Sequence, residues 1–154
     1  MRVLALDVGA KRIGLAFADT AVRIAVPRAA ILVDGNEFSQ IAKQFRLERA
    51  DLIVSGLPRN NSGEETRQTA AVRSFIIALK EYFVKHEHFD LPVVFQDESY
   101  TSVVAAEHLG GVNRQERASG KLDSEAASLI LQDFLERSDL EQLESITKGA
   151  EHGK

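Results

Sequence analysis

Three carboxylates, Asp7, Glu98 and Asp123, are the residues of this sequence best placed to do chemistry. Asp7 ends Arg2 to Leu6, an apolar run too short for a helix; Gly9 marks a turn, and a second apolar run, Ile13 to Ala18, is interrupted by Gly14. The simplest structure is a β-hairpin with a basic tip at Lys11 and Arg12. In it Gly9 permits a positive φ or a close backbone approach, and Gly14 leaves space opposite the carboxylate. Asp also ends strands and starts turns with no further role. Glu98 follows a second apolar strand, Pro92 to Phe95, that ends in Gln96-Asp97-Glu98. Asp123 lies four residues before Ala127 and seven before Ile130, so it belongs to the apolar stripe of a helix. A carboxylate on a buried face ends up paired, protonated or bound to a metal. Carboxylates gathered without a cation raise one another's pKa, whereas Mg2+ or Mn2+ accepts hard oxygen ligands and serves phosphodiester hydrolysis. Asp7, Glu98 and Asp123 are therefore the expected metal ligands and catalytic residues.

A polyanionic substrate needs cations, and the sequence offers them near the same places. Lys11 and Arg12 sit at the hairpin tip, and Arg114, Arg117 and Lys121 lie in Gly110 to Lys121, a basic, glycine-rich loop. Arg59 and Asn60 fall in a polar loop, Leu57 to Gly63, that follows a strand on the expected catalytic edge. All seven are candidate nucleic-acid contacts, and all seven also read as ordinary solvated loop residues. Asp97 points away from Glu98 if the strand continues and is expected to cap a turn. The four His share no face or ligand spacing.

The elements that position these groups follow from periodicity. Ile24 to Leu32 reads as a third strand, at an edge or bulge because Pro27 lacks an N–H. Phe38, Ile41, Ala42 and Phe45 give a helix over Glu37 to Arg46, and Leu52 to Val54 is a buried strand ending at Gly56. The longest helix starts near Glu64 and Glu65, whose charges suit a helix N-terminus, and carries Val72, Phe75, Ile76, Leu79, Tyr82 and Phe83 inward. Thr101 or Ser102 caps a short helix to Leu109. A last helix runs from Leu122 to about Arg137 with Ala126, Ala127, Ile130, Leu131, Phe134 and Leu135 on one face. The expected fold class is α/β, a mixed sheet with a leading antiparallel three-stranded meander and helices on both faces. In such sheets ligands gather at strand ends.

The chain has 154 residues, 44% apolar and 27% charged, which indicates one globular domain over 1–137 and an acidic, frayed tail over 138–154. With no Cys, disulfides, thiolate metal sites and cysteine nucleophiles are excluded, as fits a cytoplasmic protein. Asp7 interrupts the N-terminal apolar run too early for a signal peptide or a membrane span. The net charge of −4 argues against nonspecific nucleic-acid binding, so a polynucleotide must meet a local basic patch.

Four blocks, LALDVGAKRIGLAFAD, IVSGLPRNNSG, VVFQDESYTSVVAAEHL and KLDSEAASLILQDFLE, together resemble the YqgF family of RNase H-like proteins. The family is described both as Holliday-junction resolvases and as nucleases of ribosomal RNA precursor maturation. The blocks run in the family's order from residue 3 to 136. The resemblance implies an RNase H-like fold, with Asp7, Glu98 and Asp123 matching the family's metal-binding acids. It also places precursor 16S rRNA ahead of branched DNA as substrate, and a homodimer is compatible with it. One departure stands out: the third block typically reads Asp-Glu-Arg, and Ser99 replaces that Arg. The change removes a phosphate contact beside the acids and bears on efficiency and substrate preference more than on reaction class. Two other functions compete. Asp-x-Gly hairpins also resemble the phosphate-binding strands of actin-like ATPases and sugar kinases, which need a second lobe. A noncatalytic nucleic-acid-binding module would keep the fold without the cleavage.

Overall fold

The structure is a computed structural model that describes residues 1–97 and 121–137, the side chains of 121–123 excepted. Glu98, Ser99, the helix expected from Thr101 or Ser102 to Leu109, Arg114 and Arg117 of the basic loop, and the tail 138–154 lie outside the described residues.

Strands β1 (Arg2–Val8), β2 (Arg12–Asp19), β3 (Val26–Leu32), β4 (Leu52–Leu57) and β5 (Val93–Asp97) form one sheet in the order β3-β2-β1-β4-β5. The first three are the antiparallel meander, with β1 and β2 registered from Arg2↔Asp19 to Val8↔Ile13. Strands β4 and β5 then add parallel to β1, so β1, β4 and β5 all end at the same edge. Pro27 sits on the outermost strand, where a missing N–H costs the ladder nothing.

Strand alternation sorts the core onto two faces. Leu4, Leu6, Ile13, Leu15, Ile53 and Leu57 pack with helices α1 (Glu37–Leu47) and α2 (Arg67–Tyr82). Phe38 meets Phe75 in a tilted contact at 5.2 Å between ring centroids, and Phe45 meets Phe83 edge-on at 5.3 Å. On the opposite face Val3, Ala5, Ala16, Ala18, Leu52 and Val54 pack with Ala127, Ile130, Leu131, Phe134 and Leu135 of helix α3 (Lys121–Arg137). The small residues of β1 and β2 on this face let α3 lie close to the sheet. Among the described residues no helix is long and apolar enough to cross a membrane.

Several expectations shift. Helix α2 begins at Arg67 after the N-cap Thr66, so Glu64 and Glu65 precede it and no acidic residue occupies its first turn. The cap is a Thr66–Thr69 box, in which Thr69 takes the place usually held by Glu or Gln. Past Tyr82 the helix loosens into a π turn, Phe83–Glu87, closed by His88 in the left-handed region. Gly9 does not use a positive φ; its N–H reaches the Arg12 carbonyl at 3.0 Å, and a Cβ there would meet that oxygen at 2.7 Å. Strand β3 starts at Val26 rather than Ile24, and Lys121 opens α3 rather than closing the loop.

Candidate functional site

Asp7 follows four fully buried residues and is itself half-buried near the end of β1. Alternation puts it with Val3 and Ala5 on the α3 side of the sheet. Its antiparallel partner on β2 is Gly14. The parallel register of β1 with β4 runs to Leu6↔Ser55, one residue short of Asp7 and Gly56. On the α3 side, then, the residues that flank Asp7 on the two neighbouring strands are both glycines. Gly56 was not expected in this part; its place depends on a parallel pairing that no local pattern reveals.

The end of β5 lies at the same edge. Gln96 pairs with Gly56, faces α3, and donates from Nε2 to Asp133 Oδ2 at 2.6 Å, while Asp133 Oδ1 holds Arg137 Nε at 2.8 Å. Asp97 points to the other face and accepts from Arg59 Nε at 2.8 Å, while the turn it was expected to cap lies outside the described residues. Arg59 also donates from Nη1 to the Gly63 carbonyl at 3.3 Å. The hydrogen bond to Asp97 is the main reason the guanidinium holds its proton even more firmly than usual. Glu98 is the next residue along the chain.

The loop carrying Arg59 is organised by Asn60, whose Oδ1 accepts from the N–H groups of Ser62 and Glu64 at 3.0 and 2.8 Å. Gly63 supplies the positive φ, 77°, that the turn requires. Thr69 anchors the loop from below by donating to the Pro58 carbonyl. Beside it Glu65 pairs with Arg73 at 2.7 Å, a hydrogen bond that pulls the Glu65 carboxyl below its ordinary range.

Lys11 and Arg12 follow β1 at the hairpin tip, again at the edge where β1, β4 and β5 end, with Lys11 exposed. The third acid, Asp123, lies in the first turn of α3. Its neighbour Ser124 is 6% exposed and donates from Oγ to the Arg28 carbonyl on β3 at 2.7 Å. Arg28 pairs with Leu15, the residue after Gly14. The start of α3 is thereby tied at the level of the Leu6–Leu15 pair, one residue from Asp7–Gly14.

The described structure thus brings Asp7, the end of β5, the Arg59 loop, the Lys11-Arg12 tip and the start of α3 to one sheet edge. Among the described residues no three His, Cys, Asp or Glu gather as a metal site, and of the three expected ligands only the Asp7 side chain is described. An all-carboxylate set in a space floored by glycine fits a hard divalent ion rather than a soft one.

Residues 1–137 match the RuvX family, described as Holliday junction resolvase. A protein of Sulfurihydrogenibium sp. (strain YO3AOP1) named "Putative pre-16S rRNA nuclease" is 35% identical over 136 residues, 88% of this chain and 90% of its own. One of Chloroflexus aggregans with the same name is 36% identical over 137 residues, 87% of this chain and 92% of its own. In fold, the chain is similar to the fowlpox virus Holliday junction resolvase, with a TM-score of 0.52 at 17% identity, covering 90% of this chain and 100% of that one. It is similar as well to T. thermophilus RuvC in complex with a Holliday junction substrate, with a TM-score of 0.50 at 12% identity, covering 84% and 91%. The meander, the parallel additions and the helices on both faces are therefore shared with known resolvase folds, and the match over the whole described length means that this chain belongs to the RuvX family, the group its four sequence blocks resemble under the name YqgF.

Proposed function

We propose that the chain is a divalent-metal-dependent endonuclease that hydrolyses phosphodiester bonds in structured nucleic acid, with precursor 16S rRNA as its substrate in the cytoplasm. The observation that carries this reading is the setting of Asp7. It ends a parallel strand between two glycines, at the edge where β5 runs into Glu98 and α3 opens two residues before Asp123. Relatives that carry the rRNA nuclease name match along nearly their whole length, which supports the RNA substrate.

Asp7, Glu98 and Asp123 would hold Mg2+ or Mn2+, which when bound supplies Lewis acidity at the phosphorus and a water acidic enough to become a nucleophile. The protein's own part is to bind and orient. Gly14 and Gly56 put no side chain of β2 or β4 beside Asp7, which leaves the backbone of those two strands open to a phosphate that approaches the carboxylate. Lys11, Arg12, Arg59, Asn60, Arg114, Arg117 and Lys121 are the proposed backbone contacts, which fix register without reading sequence. Of these Arg59 has its guanidinium already ordered by Asp97 and the Gly63 carbonyl, so less side-chain freedom is lost when it meets a phosphate.

Cleavage of a labelled precursor 16S rRNA fragment, with and without Mg2+ or Mn2+, tests the proposal. Asp7→Asn, Glu98→Gln and Asp123→Asn should each keep the fold by circular dichroism. Each should lose more activity than the roughly 10–100-fold typical of removing a residue that merely supports a metal ligand. Wild-type rates from all three would overturn it. A four-way DNA junction belongs in the same assay, because the family's description favours branched DNA as the second reading.

A further inference from the structure

We infer that Ser124 is a positioning residue, whose hydroxyl fixes the backbone carrying Asp123 against the Asp7–Gly14 pair through a bulge in β3. The inference rests on the proposed metal-dependent cleavage and deepens it. Between Ile13↔Ile31 and Leu15↔Arg28 the pairing of β2 with β3 shifts, so that Ala29 and Ala30 of β3 together oppose Gly14. A bulge of this kind withdraws backbone groups from the ladder and bends the strand locally. At its boundary the Arg28 carbonyl accepts the Ser124 hydroxyl at 2.7 Å, and Ser124 is 6% exposed.

A serine in a helix ordinarily returns its proton to a carbonyl of its own helix or to water. Here it reaches across to another element. Bulge, Gly14 and Asp7 lie side by side on β3, β2 and β1, so the Ser124 bond registers α3 against the strand pair that carries the first acid. The apolar contacts of Ala127, Ile130 and Leu131 press the helix onto the sheet but are non-directional and leave its axial position loosely set. Carboxylates from two elements can share a cation only if their backbones are held within about 0.5 Å, which needs a directional tie. Two further ties exist farther along: Gln132 accepts from the Ala25 N–H at 3.1 Å and donates to the Arg23 carbonyl at 3.3 Å, and Asp133 accepts from Gln96 Nε2 of β5 at 2.6 Å. The Gln132 tie secures α3 to the residues just before β3, and both ties lie more than two turns from Asp123.

The Gln132 tie, distant from Asp123, gives the experiment its control. Mn2+ binding to the metal-free protein is measured by calorimetry, hydrogen exchange by mass spectrometry over 121–130, and kcat and KM on the RNA fragment. Ser124→Ala should weaken Mn2+ binding about tenfold or more, speed exchange in the first turns of α3, and lower kcat with KM unchanged. Ser124→Thr, which keeps the hydroxyl, should restore all three. Ser124→Cys, close in size with only a weak donor, should reproduce the loss if the alanine protein does not fold. Gln132→Ala should lower the melting temperature yet bind Mn2+ as the wild type does. Wild-type Mn2+ affinity in Ser124→Ala or Ser124→Cys, or an equal loss in Gln132→Ala, overturns the inference alone. Undiminished Mn2+ binding in Asp7→Asn overturns the metal-site reading and this inference with it.

Discussion

At Gly9 the chain leaves no room for a side chain. Its N–H donates to the Arg12 carbonyl at 3.0 Å, and a Cβ would stand 2.7 Å from that same backbone oxygen, which cannot rotate away. Gly9→Ala must therefore open the hairpin tip, at a cost of about 1–3 kcal/mol by the usual scale of overpacking. Urea unfolding should show that loss, and because Asp7 lies two residues upstream, cleavage should fall further than the loss of folded protein explains. Gly35 makes the contrast: nothing stands within 4 Å of a Cβ there, and its cost would come from φ alone, at 99°. Gly9 could be marked from sequence as a turn glycine. That close approach, rather than a positive φ, is what it serves could not, because the oxygen concerned belongs to a residue whose carbonyl direction the pattern does not specify. Asp97 teaches a similar lesson: its alternation away from Glu98 was readable, but its partner Arg59 reaches it across two strand ends and a loop.

Among the elements, α2 and the loop before it depend on one buried hydroxyl. Thr69 is fully buried; its Oγ1 donates to the Pro58 carbonyl and accepts from the Thr66 N–H at 2.9 Å. Thr69→Val keeps the shape and strands both partners, so it should cost about 2 kcal/mol or more, given ~1–3 for each buried group left unpaired. Thr66→Ala removes only a cap oxygen and should cost about 1 kcal/mol. Chemical denaturation should rank them in that order; equal costs would show that the Pro58 bond adds nothing. Thr69→Val should also raise KM for nucleic acid, since Pro58 directly precedes Arg59. The strands, the stripe of α2 and the inner face of α3 were legible in the sequence because apolar periodicity reports which side of an element is buried. The start of α2 was not, because Glu64 and Glu65 imitate an acidic first turn while the true cap is a Thr pair. Pro27 marked β3 as an edge or bulged strand, but the place of the bulge was not readable: Ala29 and Ala30 are too small to mark a face, so the lost register is visible only in the pairing.

For the molecule as a whole the problem is charge. A chain of net charge −4 must bind a polyanion, so attraction cannot come from its overall field and has to come from a few cations set against a local background of acids. The sheet edge fits that account: Asp7 and Asp97 stand there with Lys11, Arg12 and Arg59, and Arg59 is partly neutralised by its own partner. The six proposed cations then bound the number of phosphates neutralised, and each neutralised phosphate contributes about 0.7–0.9 to the slope of log K against log salt. Under this reading Arg114 and Lys121 supply two of those contacts. The double variant Arg114→Ala with Lys121→Ala should bind the RNA fragment more weakly at low salt and reduce the slope by roughly 1.4–1.8. Arg23→Ala, a cation on the β2–β3 turn at the other end of the meander, should leave the slope unchanged. Fluorescence anisotropy over a salt series measures both. A wild-type slope in the double variant would remove the basic loop from the interface, and a reduced slope in Arg23→Ala would mean that charge anywhere on the surface suffices and that the local patch is not what holds the substrate.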